Sequence, residues 1–192
     1  MPHGKPSTVE TSSTLVPTSE LEQALDFVRE LRSQWNPGDR LPRAEEAALQ
    51  ERLSRLGPET RAHGAHRLED LCNDNQFAEA APLAALLLMC EPQNSRIAYL
   101  AGVCQQALGN YALAMQLYGY SLLGDVPNAS ACYRVGECHL SMGNVERAIE
   151  AWEATIEIAR EQPQDGHILH ELASTALARV RKAMPPEGSQ GA

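Results

Sequence analysis

Apolar residues recur at steps of three and four along most of this chain, the period of helices that bury one face. Leu21, Ala24, Leu25, Val28, Leu31 and Trp35 form the first stripe, opposite Glu22, Asp26, Arg29, Glu30 and Arg32. Ser19 and Glu22 have the spacing of a capping box at its start. Asn36-Pro37-Gly38-Asp39 ends it. A second helix is predicted from about Pro42 to Leu56, with Glu45 and Glu46 at its positive end and Gly57-Pro58 closing it. Its apolar side, Ala44, Ala48, Leu49, Leu53 and Leu56, is thinner. A last helix runs from about Gly166 to Met184, capped by Asp165, with Leu169, Leu172, Ala176 and Val180 on its buried face. Met1 to Pro17 is rich in Ser, Thr and Pro without apolar period, so disorder is expected there. Glu187 to Ala192 reads as a loose tail.

Between these ends the pattern repeats. A shift of 34 residues carries Gly102 onto Gly136, Cys104 onto Cys138, Gly109-Asn110 onto Gly143-Asn144, Ala114 onto Ala148 and Tyr118 onto Trp152. Small residues meet small ones and aromatics meet aromatics. This is the signature of tetratricopeptide (TPR) helix pairs, whose apolar faces are hidden only by stacking on neighbours. The glycines are expected where two helices of a pair meet closely, and Gly109 and Gly143 where the first helix ends in a left-handed turn. A third, degenerate copy lies upstream, about Arg61 to Asn94. There Asn75 replaces Gly109, Phe77 replaces Tyr111 and Leu68 replaces Gly102. Pro82 falls inside the second helix of that copy, where it costs a hydrogen bond unless it lies within about the first turn.

The fold class is therefore all-α: a TPR-type helical-hairpin solenoid of three repeats, with N-terminal helices and a C-terminal capping helix. The expected division is 1–17 disordered, 18–57 N-terminal helices, 58–184 the repeat domain and 185–192 a tail. The first stripe has two readings. It caps the solenoid, or it forms a dimer interface through Leu21, Leu25, Val28, Leu31 and Trp35.

Composition narrows the function. A chain of 192 residues buries roughly 70% of its unfolded surface on folding, so it needs neither disulfide nor metal. A net charge of −9 argues against unaided binding to nucleic acid or anionic membranes. The five cysteines, Cys72, Cys90, Cys104, Cys132 and Cys138, show no C-x-x-C spacing. They read as small buried hydrophobes in a reducing, cytosolic compartment. Met1 to Pro17 lacks an apolar h-region, so no secretory signal is expected. The longest apolar run, Ala80 to Cys90, is too short to span a bilayer, so no membrane insertion is expected.

Catalytic motifs are absent from the sequence: it contains no G-x-S-x-G, no phosphate-cradling glycine loop and no H-E-x-x-H. His63 with His66, and His167 with His170, read as exposed histidines and not as metal ligands. No cofactor is expected, and the chain is not read as an enzyme. Function then lies in a surface. In a TPR the first helix of each pair lines the concave side. Counting from Ser95, the inward positions are Arg96, Tyr99, Val103, Gln106 and Ala107 in one repeat. Their equivalents are Ser130, Tyr133, Glu137, Leu140 and Ser141 in the next, and Ala62, Ala65, Glu69, Cys72 and Asn73 in the degenerate one. Tyr99 and Tyr133 should stand in register along a groove suited to an extended peptide with apolar side chains at intervals.

At these residues the chain resembles a particular family. The run from Leu100 to Ser121, with its Tyr118-Gly119-Tyr120 element, looks like the second repeat of class II type III secretion chaperones, the translocator chaperones. The run from Cys132 to Ala148, with Gly136-Glu137-Cys138, looks like their third. The likeness covers roughly Gly57 to Met184. It implies a cytosolic chaperone of a Gram-negative bacterium that holds hydrophobic, pore-forming secreted translocators through an extended segment in the concave groove. It also implies homodimerisation through N-terminal helices in many members, and in some an association with a transcription activator. Two features depart from the family: Ala65 and Cys72 stand where its members carry groove tyrosines, and Met1 to Leu56 is longer than usual. The alternative reading is a general TPR adaptor without a secretion role.

Overall fold

The computed structural model describes residues 18–34, 41–124, 128–161 and 166–184. The expected disordered start, the tail, Trp35, the stop at Asn36 to Asp39, the Asp165 cap and the side chain of Ser19 lie outside the described residues. Within them the chain forms nine α-helices in series. These are α1 (Thr18–Gln34), α2 (Arg43–Arg55), α3 (Pro58–Asn73), α4 (Phe77–Cys90), α5 (Ser95–Ala107), α6 (Tyr111–Ser121), α7 (Ala129–Ser141), α8 (Val145–Arg160) and α9 (Gly166–Ala183). Three hairpins, α3–α4, α5–α6 and α7–α8, stack in order, as the period of 34 requires.

Local chemistry sets each turn. Asn75, Gly109 and Gly143, spaced by 34, all have positive φ, at 59°, 79° and 79°. A left-handed residue after a helix lets the next amide reach back over the last turn. Gln76 thus donates to the Leu71 carbonyl at 2.8 Å, Asn110 to Gln105 at 2.8 Å and Asn144 to His139 at 2.9 Å. The starts of α5 and α7 are capped alike. The Asn94 side chain accepts from the Ile97 amide, and that of Asn128 from Ala131.

Packing explains the glycines more specifically than backbone approach does. A Cβ on Gly102 would lie 2.6 Å from Cε1 of Tyr118, and one on Gly136 2.6 Å from Cδ1 of Trp152. Both rings are buried. What the first helix lacks, the second helix's aromatic fills. The first hairpin reverses the exchange: Leu68 stands at the glycine position and Ala84 at the aromatic one, and both are buried. Large and small have traded sides, which preserves the volume filled.

The direction of curl follows from which helices touch. Among the described residues α3 meets α5, α5 meets α7 and α7 meets α9, whereas α4 does not meet α6 and α6 does not meet α8. First helices are closer together than second helices, so α3, α5 and α7 line the inner, concave side. At the C-terminal end α9 packs on α8 and α7 in the manner of another first helix. Its buried face carries Ala173, Leu177 and Val180, and Leu172 is exposed. Of the expected face, Val180 is buried and Leu169 and Ala176 are half-buried, so only Leu172 departs from it.

At the other end α1 lies across α4, α2 and α3. Leu21, Ala24, Leu25 and Val28 are buried in the same core as Leu83, Leu86 and Leu87. This corrects the dimer-interface reading for Leu21, Leu25 and Val28. Those side chains are enclosed within their own subunit because α4 is almost wholly apolar and leaves no other cover for its outer side. Leu31 is half-buried against the same core. An ion pair between Arg67 and Glu22 ties α1 to α3, and the Arg52 guanidinium of α2 lies 4.1 Å from the ring centre of Phe27 on α1. Pro82 sits in α4 beyond its first turn and is buried. Its missing N–H removes the intrahelical donor to the Ala78 carbonyl.

Candidate functional site

The inner face is built from two copies of one unit and one variant. In the second hairpin, Gly102 admits the Tyr118 ring, and Tyr99 leans on that ring at 5.8 Å between centroids and 48°. In the third, Gly136 admits Trp152, and Tyr133 leans on it at 6.5 Å and 37°. Trp152 Nε1 also donates to the Tyr133 carbonyl at 3.2 Å. Both inner tyrosines are half-buried, neither walled in nor free. Each is therefore propped from behind by an aromatic that exists only because a glycine makes room. In the first hairpin the same three positions are Leu68, Ala84 and Ala65. Without glycine there is no aromatic behind, and without that support there is no tyrosine in front.

Polar residues bind the units to one another. Gln106 donates through Nε2 to Glu137 Oε2 at 3.0 Å, and its Oε1 accepts from the Tyr118 hydroxyl at 2.7 Å. Arg134 donates to the same carboxylate oxygen at 3.1 Å. Burial disfavours the Arg134 charge, but the Glu137 carboxylate together with Tyr99 and Tyr118 outweighs it and holds the Arg134 pKa above its ordinary value. Burial raises the Tyr118 and Tyr133 phenols. Toward the first hairpin, Arg96 donates through Nε to Glu69 at 2.7 Å. That bond holds the Glu69 carboxyl below the usual carboxylate range.

All nine expected groove residues thus fall on the three first helices: Glu69 and Cys72 on α3, Arg96, Tyr99, Val103 and Gln106 on α5, and Tyr133, Glu137 and Leu140 on α7. They are not equally free. Glu69 is engaged by Arg96, and Gln106 by Glu137 and Tyr118. Val103 packs beside Tyr99 against Ala114 and Tyr118, and Leu140 is 41% exposed. The Cys72 sulfur lies 3.6 Å from that of Cys104. Sequence reasoning missed Arg134; its position three residues before Glu137 was the available signal. The expected histidine pairs stay apart from this face: His63, His66 and His167 are exposed, and His170 is half-buried on α9. Among the described residues no group of three potential metal ligands converges, and no helix is long and apolar enough to cross a membrane.

Comparison with known proteins places this architecture. The family model of anaphase-promoting complex (cyclosome) subunit 3 matches residues 73–155. A search of curated proteins finds no match. Among solved structures, PcrH of Pseudomonas aeruginosa, in complex with the chaperone-binding region of PopD, is 24% identical with a TM-score of 0.63. That match covers 67% of this chain and 96% of PcrH. The Yersinia enterocolitica type III secretion translocator chaperone SycD, as an alternative dimer, is 19% identical with a TM-score of 0.61, over 67% of this chain and 97% of SycD. A point mutant of MamA is 15% identical with a TM-score of 0.58, over 73% of this chain and 96% of its own. The chain thus has the TPR-type, all-helical fold of the type III secretion translocator chaperones, which stand among its structural neighbours.

Proposed function

We propose that this protein is a cytoplasmic chaperone of a Gram-negative bacterium that binds hydrophobic, pore-forming secreted translocators through an extended segment laid along its inner face. The observation that carries the reading is the in-register pair of half-buried tyrosines, Tyr99 and Tyr133, each held by a buried aromatic. A propped phenol offers apolar area at little entropic cost and a hydroxyl for a main-chain group. Val103 and Leu140 add apolar area between polar neighbours, which suits a chain with apolar side chains at intervals. The reading is further supported by neighbours of the same fold: PcrH is seen with the chaperone-binding region of PopD, and SycD with a peptide of the translocator YopD.

Physically, a polypeptide destined to enter a membrane exposes apolar surface that aggregates in water. Covering part of that surface removes the drive to associate. An extended-segment binder does this without folding its cargo, which export requires. Homodimerisation belongs to this reading, since SycD is described as a dimer. With Leu21, Leu25 and Val28 enclosed, the interface falls on other surfaces. The association with a transcription activator has no supporting observation and is not carried further.

Co-expression tests the proposal. A hydrophobic, otherwise insoluble protein encoded beside this gene should stay in solution and co-purify with the chain. If it pellets while the chain remains soluble alone, the chaperone reading fails and the general adaptor replaces it.

A further inference from the structure

Outside the tyrosine units, two nucleophilic side chains meet where α3 packs on α5. The sulfurs of Cys72 and Cys104 lie 3.6 Å apart, in hydrogen-bonding contact. Among the described residues no other pair of the five cysteines comes within such reach. Both thiols are free. Cys104 is fully buried, and Cys72 is half-exposed on the inner side. One repeat further on, the equivalent positions are Gln106 and Cys138, so the paired thiols are particular to these two hairpins.

We propose that Cys72 and Cys104 form a peroxide-responsive dithiol that closes to a disulfide and staples the first hairpin to the second. The arrangement has the division of labour such a site needs: an accessible sulfur to meet the oxidant, and a buried one beside it to resolve the product. The Cys104 hydrogen bond favours the Cys72 thiolate, although burial and the Glu69 carboxylate oppose it. Burial raises the other three thiols, Cys138 to about 11. Glu69 is itself engaged by Arg96, which moderates its repulsion.

The chemistry balances. The Cys72 thiolate attacks one oxygen of hydrogen peroxide, the O–O bond breaks, and hydroxide leaves and takes up a proton as water. Cys72 is then a sulfenic acid. The Cys104 sulfur attacks the Cys72 sulfur, the S–O bond breaks and the S–S bond forms, and the hydroxyl leaves with the Cys104 proton as a second water. Two thiols lose two electrons and one peroxide gains them. The sulfurs must close from 3.6 Å to about 2.05 Å. The bond encloses α4 and both its turns, so the oxidised chain unfolds at higher temperature.

Mass spectrometry of the full chain tests this. Reduced protein is treated with hydrogen peroxide, denatured, and labelled with a maleimide. Wild type should fall from five labels to three and return to five after dithiothreitol, and its digest should contain the Cys72–Cys104 cross-linked peptide. Neither C72S nor C104A should lose a dithiothreitol-recoverable pair, whereas C90S should fall from four labels to two. C72S alters a half-exposed side chain, so it remains informative if C104A fails to fold. Retention of five labels, a different cross-linked pair, or an unchanged response in C72S would overturn the proposal.

Discussion

The ring of Tyr118 occupies the space that a side chain on Gly102 would need, with a Cβ there falling 2.6 Å from Cε1. Tyr99 leans on that same ring, so one glycine decides both the packing of a hairpin and the shape of the inner face. Gly102→Ala should cost about 1–3 kcal/mol through overpacking. Tyr118→Ala should cost about 3–5 kcal/mol through the cavity it leaves. The first hairpin, with Leu68 and Ala84, indicates the remedy. Gly102→Leu combined with Tyr118→Ala should be less destabilised than the sum of Gly102→Leu alone and Tyr118→Ala alone. Urea unfolding of the three variants measures the coupling.

The left-handed turns give a second prediction. Gly109→Ala places a Cβ at φ 79° and should cost roughly 1–2 kcal/mol. Gly109→Asn should cost less, because Asn75 holds the equivalent position in the first hairpin at φ 59°. If alanine and asparagine prove equal in thermal unfolding, the turn argument fails.

Enclosure of α1 gives a third. Leu25 is 1% exposed within its own subunit, so Leu25→Ala should lower stability by about 2–5 kcal/mol. Unfolding midpoints measured across a hundredfold range of protein concentration separate the alternatives. A loss independent of concentration agrees with a cap on the solenoid. A loss seen only at high concentration returns Leu25 to an interface between copies.

These cases show what was legible in the chain. The repeat could be read because identical constraints recur at identical offsets: a left-handed turn at 75, 109 and 143, and a glycine facing an aromatic at 102 and 136. The exchange of Leu68 with Ala84 was hidden, since complementary volumes leave no identity to align. Periodicity revealed the stripe on α1 but not its cover, because a buried stripe looks the same whether α4 or a second copy lies upon it. The inner-face positions followed from the repeat register. Their engagement did not: Gln106 with Glu137 and Cys72 with Cys104 depend on how far one hairpin is rotated against the next.

A fourth prediction concerns acid. The Arg96 hydrogen bond lowers the Glu69 pKa in the folded chain. A depressed carboxylate stabilises the fold above its unfolded pKa, and that contribution is lost as pH falls through the folded value. Arg96→Gln should remove it, and since Arg96 is largely exposed the difference should stay under about 1 kcal/mol. Thermal melts should show wild type and variant differing at neutral pH and converging in acid. A gap that persists below the carboxylate range would contradict the assignment.

The most direct test of the inner face is calorimetric titration with a synthetic peptide from the apolar N-terminal region of the hydrophobic protein encoded beside this gene. Wild type should bind it, and Tyr99→Ala with Tyr133→Ala should weaken binding by about tenfold or more, some 1.4 kcal/mol. Helicity should stay intact because Tyr118 and Trp152 remain. Unchanged affinity in the double variant, with the fold preserved, would contradict a tyrosine-lined groove as the binding surface.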